Sequence, residues 1–357
     1  MTKQNSNSKE KGSNKTKVIF GIDSFGDIPK DNDGKLMSHA AAIRQVVEEA
    51  VLADKLGIDA IALGEHHRQD FSISSPETVL AGIATRTKNI KLGSGVTVLS
   101  SDDPVRVFQR FSTLDALSNG RAEVILGRGS FTESFPLFGY DLKDYNVLFE
   151  EKIELFSKIL TEKPVTWKGT TRPTLEKADI YPKTESGSLK TMVGVGGSPN
   201  SVVRAANYGF PLVLAIIGGS PERFVPYVEL YRQAAKQFGT SSDEIGVHSH
   251  GFIAETDEEA MNIMWPAHKL NFDRIGKTRG WTPMTRQQFN QEVEHGSLYV
   301  GSPETVAQKI TKTIKTLGIT RFDLVYGSGP MKASDRLKFI ELYAKKVIPR
   351  VRELLSE

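Results

Sequence analysis

Cysteine is absent from the 357 residues, which removes disulfide staples, thiolate metal sites and a cysteine nucleophile together. Long apolar runs are also missing. None reaches the roughly 18–20 residues that span a bilayer, and the Lys/Asn/Ser-rich N-terminus has no apolar core of a signal peptide. Charge of either sign barely dominates. The formal net charge of +3 traces to Lys3, Lys9, Lys11, Lys15 and Lys17, opposed locally only by Glu10, and the rest of the chain holds 41 basic against 42 acidic residues. A basic tail does not make a nucleic-acid face. These absences predict a cytoplasmic protein without a membrane or nucleic-acid partner: a disordered basic leader over residues 1–16, then one domain over 17–357.

What is present is alternation. Strand patterns over residues 18–23, 59–63, 90–99, 122–126, 191–195, 212–217, 245–254 and 322–326 are each followed by helical periodicity. Two excursions interrupt it. Residues 163–189, after the fourth helix, read as extended chain outside the core, and residues 265–297 gather Trp265, His268, Phe272, Trp281, Phe289 and His295. Eight such units predict an α/β fold, a (β/α)8 TIM barrel with insertions after the fourth helix and late in the chain. A doubly wound open sheet is the alternative. In a barrel the chemistry sits at the carboxyl ends of the strands.

Three strand ends stand out. The run Thr191-Met192-Val193-Gly194-Val195-Gly196-Gly197-Ser198-Pro199-Asn200-Ser201 reads as strand, glycine turn and helix start. Consecutive glycines allow close backbone approach, and a Ser-Pro start leaves N–H groups and a helix dipole aimed at one point, so the stretch is a candidate phosphate cradle. Glu65-His66-His67 ends the second strand. One histidine of such a pair can face the mouth as a general acid or base, a satisfied structural histidine and a metal ligand being the other readings. The pair lacks the His-Glu-x-x-His spacing, so no metal is expected. Gly93-Ser94-Gly95-Val96-Thr97 weakens its own strand with glycine, as where something flat approaches the backbone. Gly127-Arg128-Gly129-Ser130 offers a guanidinium to a phosphate or carboxylate.

Taken in order, Glu65-His66-His67, Gly93 to Leu99 with Asp103-Pro104-Val105-Arg106, Asp115 to Arg121, and Gly127-Arg128-Gly129 resemble the bacterial luciferase-like flavin monooxygenase family. The resemblance runs from about residue 17 to 260 and more weakly through Val300 to Glu304. It implies a barrel that uses reduced FMN as cosubstrate with O2 to oxygenate a small organic molecule. Arg128, Gly129, the backbone at Gly196 and Gly197, Ser198 and Ser201 would hold the cofactor's phosphate end. The ring would lie along Gly95, Val96 and Thr97, with a non-proline cis bond at Gly95-Val96, and His66 would be the catalytic histidine. The family further implies a homodimer, a separate NAD(P)H-dependent flavin reductase and a mobile late segment. Gly127 stands where the luciferases proper carry a reactive cysteine, and Gly197 replaces an acidic residue, which points away from light emission. An F420-dependent oxidoreductase and a non-catalytic flavin-binding protein share the fold. A sugar-phosphate isomerase or lyase would use the same cradle without flavin.

Overall fold

The computed structural model describes residues 17–241 and 243–357, without the side chain of Thr278. The expected leader, residues 1–16, lies outside the described residues.

Eight parallel strands close on themselves: β1 Ile19–Ser24, β2 Ala60–Leu63, β3 Lys91–Val98, β4 Ala122–Gly127, β5 Lys190–Val195, β6 Leu212–Ala215, β7 Ile245–Ile253 and β8 Arg321–Val325. Each pairs with the next, and β8 returns to β1 with Arg321 opposite Ile19. Closure rules out the open sheet. A short strand, Tyr299–Gly301, adds to the far end of β7 outside the ring.

Period-two alternation sorts the strand side chains. Val124, Leu126, Val193, Leu212 and Leu214 join the large core beneath the helices, while Ile125, Met192 and Val213 form a separate small cluster with Val96. The lumen also carries ions. Arg321 donates to Asp323 Oδ2 at 2.7 Å and to Glu123 Oε1 at 2.5 Å, all three buried. Burial still raises the Asp323 carboxyl to about 6 against the pull of Arg321.

The helices begin where the sequence supplies caps. Helix α1, His39–Lys55, starts at Ser38, whose side chain accepts from Ala41 N–H. After α2, Pro76–Ala84, helix α3, Pro104–Ser118, starts at Asp103 with Pro104 in its first position and ends on left-handed Asn119. Helix α4 spans Tyr145–Ile159, α5 Pro199–Asn207 and α6 Val225–Phe238. The first excursion contains the antiparallel hairpin Val165–Trp167 with Leu175–Ala178, as expected of an insertion.

The second excursion is not an irregular one. Helix α7 runs unbroken from Asp257–Arg279 through Pro266, and α8, Arg286–Glu294, follows with a Thr285/Gln288 capping box. An interior proline removes one backbone bond and normally kinks or ends a helix, yet α7 continues past this one. Three acidic residues in the first turn and the Thr256 cap hold the start of α7.

Candidate active site

The carboxyl ends of the strands open into a cavity of about 980 Å³, at the upper end of the roughly 300–1,000 Å³ usual for small-molecule sites. Its lining is largely aromatic and apolar, with Phe25, Phe71, Phe131, Phe272 and Trp281 among the walls. Of the late aromatics, Phe272 and Trp281 face it, whereas Trp265 packs on Phe289 and does not.

His66 lines this cavity and is 8% exposed. Its ring stacks on Phe71 at 4.3 Å between centroids and meets Phe131 and Phe25 edge-on. Nδ1 lies 3.7 Å from Glu133 Oε1, and neither atom has a hydrogen-bond partner among the described residues. Burial would raise the Glu133 carboxyl, yet His66 and the local backbone hold it below the usual carboxylate range. The pair is an imidazole with an available counter-charge, facing a largely apolar space.

His67 is tied instead to structure. Its Nε2–H donates to Glu65 Oε1 at 2.9 Å, and Glu65 Oε2 accepts Val98 N–H at 3.0 Å. Glu65 therefore fastens the loop after β2 to the end of β3 and does not orient His66.

Gly95, Val96 and Gly129 line the cavity. The Gly95-Val96 bond is cis, and Val96 is skipped in the β3–β4 register, where Gly95 faces Ile125 and Thr97 faces Leu126. A Cβ at Gly127 would stand 2.4 Å from Val96 Cγ2, and one at Gly194 would stand 2.9 Å from Val96 Cγ1. These glycines thus make room for the Val96 side chain. What crowds Gly95 is Asp23, whose Oδ2 would be 2.6 Å from a Cβ there. Thr97 is buried with its hydroxyl on Ser94 and faces away from the cavity.

The cradle residues sit just beyond this rim. Gly196 and Gly197 are exposed, and a Cβ on Gly196 would meet nothing within 4 Å. Ser198 is the N-cap of α5 and Pro199 its first residue, but the Ser198 hydroxyl makes no cap bond. Arg128 crosses the Tyr145 ring at 5.4 Å and reaches Asn146 at 3.4 Å, with no carboxylate partner among the described residues. Neither Glu133 nor Asp141 pairs with it. Ser201 departs from expectation: it is buried, and its hydroxyl accepts from Arg204, which also pairs with Glu150. Arg204 is the cation that motif reading missed; its place on the same helical face, one turn after Ser201, was the available signal.

Sequence reading also missed the opposite wall. Asp23, His248, His250 and His268 converge there from β1, β7 and α7. Burial pushes His268 down to about 4 and His250 well below its ordinary value.

A closed parallel barrel with this mouth is the luciferase-like architecture, and the sequence agrees. The profile of the luciferase-like monooxygenase family matches residues 27–321, and the chain belongs to that family. The alkanal monooxygenase alpha chain of Photorhabdus luminescens is 22% identical over 92% of this chain and 97% of its own. Among solved structures, monooxygenase RslO1 from Streptomyces bottropensis superposes with a TM-score of 0.80 at 24% identity, covering 93% of this chain and 99% of that one. The oxygenating constituent of 3,6-diketocamphane monooxygenase from Pseudomonas putida, in complex with FMN, gives 0.74 at 22% identity over 94% and 99%. An F420-dependent secondary alcohol dehydrogenase gives 0.71 at 20% over the same shares. At these identities the structural likenesses establish the fold.

Proposed function

We propose that the protein is a flavin-dependent monooxygenase that takes reduced FMN and O2 and oxygenates a small organic substrate. The observation that carries this reading is the pairing of an open anion cradle with an adjoining, largely apolar cavity. Gly196, Gly197, the free Ser198 hydroxyl and Arg128 fit a phosphate, and Gly95 and Val96, which line the cavity, would hold the planar ring. Bound reduced FMN supplies the chemistry that activates O2.

The chain's own residues do the rest. Phe25, Phe71 and Phe131 exclude water from the face where His66 stands. His66 holds a proton at its ring and delivers it toward the cavity, with Glu133 stabilising the charged imidazole. The phosphate end is bound by backbone and Arg128 outside the reaction space. A separate NAD(P)H-dependent reductase supplies the reduced flavin, and the protein works as a cytoplasmic homodimer. No helix among the described residues is long and apolar enough to cross a membrane.

The test is anaerobic titration with FMN and reduced FMN, followed by rapid mixing with O2. Tight binding of the reduced form and a transient absorbance distinct from both flavin states support the reading. If neither form binds, the cradle serves another phosphate and the reading falls. The second reading, F420-dependent hydride transfer, draws on the resemblance to the alcohol dehydrogenase. Its longer anionic tail needs further cations, and near the cradle Arg204 is already engaged by Glu150. Preferential binding of F420 over FMN would decide for it. Firm FMN binding without any reaction toward O2 would mark a flavin carrier.

A further inference from the structure

The ring order of the barrel places β7 diametrically across from β3. If the flavin lies along Gly95 and Val96, the wall made by β7 and α7 belongs to the substrate. That wall is built of imidazoles. His248 and His250 stand two apart on one face of β7, their ring centroids 6.5 Å apart, and His268 from α7 follows at 6.2 Å. His268 Nδ1 engages Ser328 Oγ at 3.0 Å.

His248 is distinguished by its neighbour. Asp23 Oδ2 lies 2.6 Å from its Nδ1, and the residues are 0% and 7% exposed. The contact is an ion pair beside the Nδ1 edge of the ring, and among the described residues neither Asp23 carboxylate oxygen has a hydrogen-bond partner. Nε2 has no protein hydrogen-bond partner among the described residues, and the ring lines the cavity. A buried carboxylate beside one edge of an imidazole favours the charged ring, and the ring's other edge is left to the cavity. The other charged and titratable groups around the ring are Asp323 and Arg321 from β8, His250 on its own strand and, across Phe25, His66. Burial alone would strip the ring of its proton, yet Asp23 holds His248 above its ordinary value, while His250 and His268 are pushed neutral.

A single N–H donor on a charged ring matches a single-oxygen anion better than a carboxylate, which prefers a two-pronged donor. The neighbouring aromatic walls match a flat ring.

We propose that His248, ion-paired with Asp23, binds the oxygen of a hydroxylated aromatic substrate, a phenol taken up as its phenolate. The phenolic proton leaves to the buffer. Asp23 is a positioning residue, and His250 and His268 offer neutral hydrogen-bonding groups along the same edge. The inference rests on the flavin reading for the division of the cavity into a cofactor side and a substrate side.

The probe is 4-nitrophenol, whose anion is yellow. The purified full-length protein is titrated with it from about pH 5 to about pH 8, with and without oxidised FMN, while FMN binding is followed separately by flavin fluorescence. The bound probe is expected to ionise about one pH unit or more below the free probe. His248→Gln should weaken its binding about tenfold and remove that shift. Asp23→Asn should reduce the shift, and FMN affinity should stay unchanged in His248→Gln. The inference is overturned if the probe binds in its protonated form, does not bind, or binds His248→Gln with wild-type affinity and ionisation. Benzoate binding more tightly than nitrophenol overturns the phenol class. Should the variants fail to fold, the ionisation shift in the wild-type protein still decides. Failure of FMN to bind, read in its own channel, strikes the flavin reading instead.

Discussion

The cradle at the start of α5 and the histidine wall on β7 and α7 both present donors to a bound molecule, but they are made of opposite materials. The cradle is backbone and exposed: Gly196 and Gly197 face open space, and the Ser198 hydroxyl is left without a cap bond. The wall is side chain and buried, its charge set by Asp23 behind His248 and its neutrality by desolvation of His250 and His268. A solvent-facing cradle holds a permanently charged phosphate without paying to bury it. A buried wall discriminates, because every polar atom there must find a partner or remain costly. Affinity for the cofactor should therefore reside at one end of the cavity and turnover and selectivity at the other.

The largest effect should test that division directly. His66→Ala is expected to lower the O2-dependent turnover by about 10²–10⁴-fold while leaving the FMN dissociation constant within about twofold, since His66 stands away from the cradle. Stopped-flow and fluorescence titration measure the two quantities. An equal loss in both would erase the distinction between the two ends.

The wall's burial has a pH signature. His268 falls from 6.5 to about 4 on folding because burial disfavours its charged form. The unfolded chain takes up that proton first, so stability is complete above about pH 6.5 and declines as pH falls toward 4, by up to about 3 kcal/mol. His250 acts in the same sense. Asp323, raised to about 6 by burial, acts oppositely: its contribution is present at low pH and lost as pH rises through 6. Urea unfolding from pH 7 to pH 4 should show a shallower decline in His268→Gln than in wild type. Parallel curves would mean that His268 is not buried neutral.

At the cradle, Arg128→Ala should weaken FMN binding about 10- to 100-fold, the range of a charge-assisted hydrogen bond. Riboflavin, which has no phosphate, should bind both proteins equally. A matching loss for riboflavin would move Arg128 from the phosphate to the ring.

The same contrast governs what the sequence made legible. The barrel was readable because strand and helix periods are local features. The cradle was readable for the same reason, since Gly-Gly-Ser-Pro encodes its backbone shape within four residues. The wall was not. Asp23 and His248 lie on the first and seventh barrel strands, and nothing near either residue signals the other. Glu65 shows the limit at shorter range: its position beside His66 left open whether it orients that ring or supports the loop, and only the fold shows its carboxylate on His67 and Val98. The excursion expected from residue 265 begins instead as helix, α7 running on through Pro266 to Arg279 with its ends held by the Thr256 cap and left-handed Gly280.

The smallest effect separates a glycine needed for shape from one needed for access. Gly197 has φ of +129°, so a side chain there is strained whatever the space. Gly196 is not in that region, and its Cβ would touch nothing within 4 Å. Gly196→Ala should therefore leave the melting temperature unchanged, while its methyl occupies the space into which a phosphate must come. FMN affinity should drop by about three- to tenfold, roughly one hydrogen bond, and riboflavin affinity should not move. Unfolding on substitution would assign Gly196 to the architecture. Unchanged FMN binding would take the phosphate away from this turn and leave Arg128 to hold it without the backbone.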